Sequence, residues 1–281
     1  MKLLRYGTAG QERPGILDSQ GRIRDLSGVV PDIGPDTLTP DGLAALRSID
    51  VAALPLVGGE PRIGPCVGAI SKIVGVGQNY HDFVEHAGMP VPVRPVLFLK
   101  PLSTLCGPND DIVLPAHAQE ADWEAELGVV FGKRVSCVAP EEALDTIAGY
   151  CVINDITERG WAREGGQLLN GKAADTFTPI GPYLVTRDEI EDPQTLGIRL
   201  DLNGNRWQDG NTSSMIFDVR FLISYISRFM TLLPGDVLAT GTPKGVGGKA
   251  TPPVFLRAGD RMTLGVEGLG EQRSRVVASG A

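Results

Sequence analysis

Glu124 and Glu126 stand two residues apart in the run DWEAELGVV, inside a segment that otherwise reads as a buried strand. Side chains alternate along a strand, so both carboxylates point to one face, opposite Trp123, Ala125 and Leu127. Next to the apolar run Val129-Val130-Phe131, such a pair is costly unless it is solvated, paired or bound to a cation. Asp155, at the polar end of the apolar run YCVINDIT, is a third acid of the same kind. Three carboxylates from two neighbouring strands make a hard, all-oxygen donor set that suits Mg2+, Mn2+ or Ca2+ better than zinc. An isolated E-x-E more commonly marks a solvated face, so the rest of the chain must decide.

Three further segments carry candidate chemistry. NYHDFVEHAG (79–88) holds two of the three histidines. At about 100° per residue on a helix, His86 shares a face with Phe83, while His81 pairs with Glu85 on another. His81 and His86 are five apart and cannot grip one metal as an H-x-x-x-H pair does. Lys172, between glycine-rich turns, is either a surface charge or an anion-holding group. ATGTPKGVG (239–247) reads as a strand entering a turn whose amides and Thr242 can cradle a carboxylate or phosphate. It lacks the spacing of a nucleotide P-loop.

The elements that must position these groups are mostly strands. Glycine (36) and proline (21) make up about a fifth of the 281 residues, which favours short strands joined by tight turns. KLLRYG, PGILDSQGRIRDLSG and VAALPLVGG read as strands of a small β-rich N-terminal domain (1–68), with one helix expected over 39–50. A larger α+β domain (69–281) follows, with helices expected only at 79–88, 139–147 and 213–230. The net charge of −8 argues against a nucleic-acid or anionic-membrane surface, and no run of about 18 apolar residues suggests a membrane span. Cys66, Cys106, Cys137 and Cys151 show no zinc spacing and read as thiols in a reducing compartment. The N-terminal run breaks at glycine and proline before a signal core forms, so a cytoplasmic protein is expected.

Taken in order, VGVGQNY, PVLFLKP, GPNDDIVLP, DWEAELGVVFGK, AGYCVINDIT, GKAADTFTPIGP, NTSSMIFDV, TLLPGDVLATGTPKGVG and GLGEQ resemble the fumarylacetoacetate hydrolase family over roughly residues 70–275. The resemblance implies a mixed β-roll catalytic domain, a homodimer, and one Mg2+ or Mn2+ (Ca2+ in crystals) held by Glu124, Glu126 and Asp155. It assigns Lys172 to catalysis and substrate binding, with Tyr80, Arg159, Gln167 and Thr242 as further substrate contacts. The implied substrate is a small anionic 2,4-diketo acid, cleaved at a C–C bond to pyruvate and a second acid.

The sequence departs from the family pattern in two places. Many members carry Asn-Tyr-x-Asp-His-x-x-Glu, a His/Glu dyad on a helix over the metal; here Phe83 stands at the histidine position and His86 at the glutamate position. His86 is then the first candidate base, with Glu85 or a metal-bound hydroxide, partnered by His81, as the alternative. A third option is that the helix has lost the dyad, leaving chemistry that needs only enolate stabilisation, such as decarboxylation or tautomerisation. Ala162 stands where many members have glutamine, and Gln167 is the expected substitute. The N-terminal blocks most resemble the branch acting on 2,4-diketo-3-deoxy sugar acids, some of whose relatives are labelled ureidoglycolate lyase. A non-catalytic metal-binding role is the remaining alternative.

Overall fold

Nine strands form the larger of two main sheets in the computed structural model, which describes residues 1–280. Their order is Ile23–Asp25, Arg13–Leu17, Lys2–Tyr6, Leu184–Thr186, Ile147–Asn154, Ala125–Phe131, Val237–Ala239, Ile73–Gly77 and Val96–Lys100. All neighbours are antiparallel except Val237–Ala239 against Ile73–Gly77. The N-terminal strands thus join the same sheet as the strands carrying Glu126 and the residue before Asp155. A second sheet of five strands is ordered Asn205–Asn211, Gly197–Leu202, Arg261–Val266, Gly270–Ala278 and Ile112–Leu114.

The strand Ala125–Phe131 is buried along its whole length because the large sheet is covered on both faces. Leu127, Val129 and Phe131 join one core with Ile198, Leu200, Leu264 and the helix residues Leu222 and Ile226. Val130 joins a second core with Leu3, Ile16, Leu43 and Ile153. That double coverage gives the unbroken apolar run after Glu126. Any charge at the end of the run must be matched by another charge or a ligand.

Helices are few, as the glycine and proline content suggests. Thr39 caps Pro40–Arg47, its hydroxyl accepting from the Gly42 amide at 3.1 Å. The helix expected over 213–230 contracts to Val219–Ser227, because the Asp218 carboxylate caps the Phe221 amide and fixes its start. Residues 140–146 form a 3-10 helix. VAALPLVGG is not a strand: Asp50 caps the Ala52 amide and starts a 3-10 turn over Val51–Ala53. Two short helices not expected from the sequence, Arg159–Glu164 and Leu168–Lys172, lie between the strand end at Asn154 and the strand Leu184–Thr186. No helix among the described residues is long and apolar enough to cross a membrane.

Candidate metal centre and active site

The acidic groups meet where two central strands end. Ile147–Asn154 and Ala125–Phe131 pair in register from Asn154 opposite Ala125, and the Asp155 amide donates to the Glu124 carbonyl at 2.8 Å. This pairing brings one carboxylate oxygen each of Glu124, Glu126 and Asp155 within 4.8 Å of one another, all buried. Two lysines and an arginine close around them. Lys172 Nζ donates to Glu124 Oε2 at 2.7 Å and to Asp155 Oδ2 at 2.5 Å. Lys100 Nζ, fully buried, donates to Asp155 Oδ1 at 2.5 Å and to the Phe177 carbonyl at 3.2 Å. Arg159 spans Asp122 and Glu124, with Nη1 2.7 Å from Glu124 Oε1 and Nε 2.9 Å from Asp122 Oδ2.

Among the described residues, Glu126 has no such cation. It is 2% exposed, and its one hydrogen bond among those residues is from the Gly241 amide, at 2.9 Å. Burial, then the Asp155 and Glu124 charges, push its pKa well above the usual carboxylate range. Burial also works to raise Asp155, but Lys100 and Lys172 outweigh it and hold that carboxyl below its ordinary value. Lys172 is raised: burial would lower it, and the Asp155 and Glu124 carboxylates prevail. With every group ionised, Asp122, Glu124, Glu126 and Asp155 outnumber Lys100, Arg159 and Lys172 by one charge. An under-compensated, all-oxygen cluster of this kind fits a divalent cation such as Mg2+ or Mn2+.

The cluster opens into a cavity of about 300 Å3. Glu124, Glu126, Arg159, Lys172 and Thr242 line its inner end, and Asp155 lies buried behind them. Thr242 Oγ1 donates to the Ala125 carbonyl and accepts from Gln208 Nε2, both at 2.8 Å, so toward a ligand the hydroxyl can only accept. Tyr80 is fully buried away from this lining, its hydroxyl without a hydrogen-bond partner among the described residues. Gln167 is exposed and does not line the cavity, where Ala162 and Leu168 stand instead.

The helix His81–His86 presents Phe83 to the cavity. His81, Glu85 and His86 are exposed and none of them lines it. His86 does follow Phe83 by three residues, but three residues advance a helix by about 4.5 Å. His86, the last residue of the helix, is exposed. Asn79 anchors the entry to this helix: its amide nitrogen donates to the Phe217 and Thr240 carbonyls, and its oxygen accepts from the Phe217 amide.

Sequence reasoning overlooked Lys100 and Asp122. Asp122 extends the acidic period of two (Asp122, Glu124, Glu126), a signal present in DWEAE. Its carboxylate also accepts from the Gly247 and Gly248 amides, at 2.7 and 2.9 Å, and so orients Arg159. Lys100 ends an apolar strand and carries no spacing that marks it.

Similarity to known proteins bears on the acidic cluster, its cations and the cavity together. Residues 72–277 match the family model described as fumarylacetoacetate (FAA) hydrolase C-terminal. The chain belongs to the fumarylacetoacetate hydrolase family. It is accordingly an enzyme, a hydrolase of that family. A Burkholderia orbicola protein named "Putative hydrolase" is 58% identical over 277 residues, 98% of each chain. Fumarylacetoacetate hydrolase from the psychrophile Exiguobacterium antarcticum is 34% identical with a TM-score of 0.88, covering 99% of both chains. Maleylpyruvate hydrolase from Sphingobium sp. SYK-6, solved with manganese(II) and pyruvate, is 31% identical with a TM-score of 0.83, again over 99% of both. Against the dyad pattern of many family members, Phe83 is therefore an apolar residue at a position that faces the cavity.

Proposed function

We propose that the protein is a divalent-metal-dependent hydrolase that cleaves a C–C bond of a 2,4-diketo acid, releasing pyruvate and a second acid. The carrying observation is the buried Glu124-Glu126-Asp155 cluster at the inner end of the cavity, in which Glu126 has no cationic partner among the described residues. A cation bound there supplies Lewis-acid polarisation of the 2-keto oxygen and offsets charge that develops as the bond breaks. With a divalent cation present the net charge becomes positive by one, which favours an anionic substrate. The manganese(II) and pyruvate in the Sphingobium maleylpyruvate hydrolase support the same reading.

The chain's own residues have distinct tasks in this scheme. Lys172 stays protonated between Glu124 and Asp155 and adds fixed positive charge beside the reacting end. Arg159, held by Asp122, is an inner-end cation on the cavity lining for a substrate carboxylate, whereas Arg163 and Lys249 are exposed at the mouth. Lys100 fixes one oxygen of Asp155 from behind, leaving the other toward the cluster. A homodimer belongs to the same reading, and sedimentation velocity measures it.

One observation favours a second reading. No imidazole lines the cavity among the described residues, and Glu124 and Glu126 are already committed to the cluster. Decarboxylation of an oxaloacetate-type acid, whose enolate forms by loss of CO2 without adding water, needs no such base. The deciding assay incubates purified protein and Mg2+ with acylpyruvates and oxaloacetate and follows pyruvate. Pyruvate from acylpyruvates supports hydrolysis; pyruvate from oxaloacetate alone moves the assignment to decarboxylation.

A further inference from the structure

The cavity is chemically two-ended. Its inner end holds the cluster, Arg159 and Lys172; its outer wall is built from Phe83, Met89, Phe98, Leu168 and Phe255. The polar groups nearest that wall are spent or lie at the mouth. The Thr157 hydroxyl donates to the Asp155 carbonyl, and the exposed Arg163 pairs with Glu120 at 2.6 Å. Lys249 is exposed at the rim. Gln78, held at φ 58°, is the one uncharged amide on the lining.

The backbone makes room for the wall. A Cβ at Gly75 would lie 2.2 Å from the Phe98 ring, so glycine there is what lets the ring lie across the strand. The same ring stands 4.9 Å from Lys172 Nζ and so joins the apolar wall directly to the charged end.

We propose that the acyl end of the substrate is apolar, an alkyl or aryl group, and that Phe83, Leu168 and Phe255 select it. This rests on the diketo-acid reading of the inner end. A 2,4-diketo head anchored at the cluster must direct its acyl group along this wall, where Gln78 offers one uncharged partner and the remaining hydroxyls of a polyhydroxylated chain would be buried without any. An alkyl or phenyl group instead removes apolar surface from water on both sides. Phe83 thereby has a role: where a family dyad would place imidazole, this chain places the wall that receives the tail. The resemblance to the sugar-acid branch does not anticipate this choice.

The test compares four acids with the Mn2+-loaded protein: 2,4-dioxopentanoate, 2,4-dioxoheptanoate, 4-phenyl-2,4-dioxobutanoate and a 2,4-diketo-3-deoxy hexonate. Pyruvate release gives kcat/KM, and calorimetry gives the binding order independently of turnover. The propyl and phenyl acids are expected to exceed the methyl acid, and to exceed the polyhydroxy acid by at least about tenfold. Phe255→Ser is expected to reduce the phenyl-to-methyl ratio by at least about tenfold, a change that general loss of structure would not produce. A polyhydroxy acid that matches or exceeds the propyl acid overturns the proposal. Binding in the expected order without pyruvate keeps the apolar tail and removes the hydrolase reading. Failure of all four acids to bind overturns both.

Discussion

The helix His81–His86 and the strand ends around Glu124 and Asp155 are about equally rich in titratable side chains, yet they have opposite fates. The helix turns its histidines and Glu85 to solvent and its phenylalanine inward. The strand ends turn four carboxylates, two lysines and an arginine into a nearly dry interior. Exposure lets a charge stand alone, whereas burial forces it into partnership. For this reason the buried set has one defined geometry and a charge excess a cation can fill. Density of reactive residue types is therefore a poorer guide to the site than the apolar surroundings that constrain them.

The largest expected effect comes from removing the acid that lacks a cation. Glu126→Ala should lower kcat by at least about 10³-fold, measured as pyruvate release in saturating Mg2+. Full activity would separate the cluster from catalysis. Next, Lys172→Ala removes the positive charge at the inner end and should cost about 10²–10³ in kcat, read in the same assay. Its pH profile should lose activity without gaining a new optimum.

Lys100→Met tests the buried partnership by stability. It leaves one Asp155 oxygen without its buried cation, and urea unfolding should show a loss of about 3–5 kcal/mol. A loss under about 1 kcal/mol would mean that Lys100 is a passive neighbour. The smallest effect belongs to the helix: His81→Ala, Glu85→Ala and His86→Ala, singly and together, should change kcat by less than about twofold. A loss of 10²–10⁴, the usual worth of a general base, would show that the helix closes to bring one of them onto the substrate.

Much of this arrangement is legible in the sequence, for identifiable reasons. Strands bounded by glycine, proline and aspartate announce themselves by composition, and the E-x-E period alone puts Glu124 and Glu126 on one face. Lys172 and Arg159 emerge from block order rather than from local pattern. Lys100 does not, because its role depends on Asp155 and Phe177, which lie 55 and 77 residues further along the chain. The side of the helix that faces the cavity is also hidden. Helical periodicity groups His86 with Phe83, but only the tertiary packing of the helix decides that Phe83 is buried on the cavity lining while His86 is exposed. The apolar wall is invisible for the same reason: Phe83, Phe98, Leu168 and Phe255 come from four separate segments with no common period.

The most direct test of the central claim, that metal and chemistry belong to the strand-end cluster and not to the histidine-bearing helix, is a Mn2+ titration of the full chain followed by electron paramagnetic resonance. The wild type and the combined His81→Ala, Glu85→Ala, His86→Ala variant should each bind one Mn2+ per chain with the same affinity, and Glu126→Ala should bind none at the same concentration. Retention of the ion by Glu126→Ala, or its loss from the helix variant, would contradict the account.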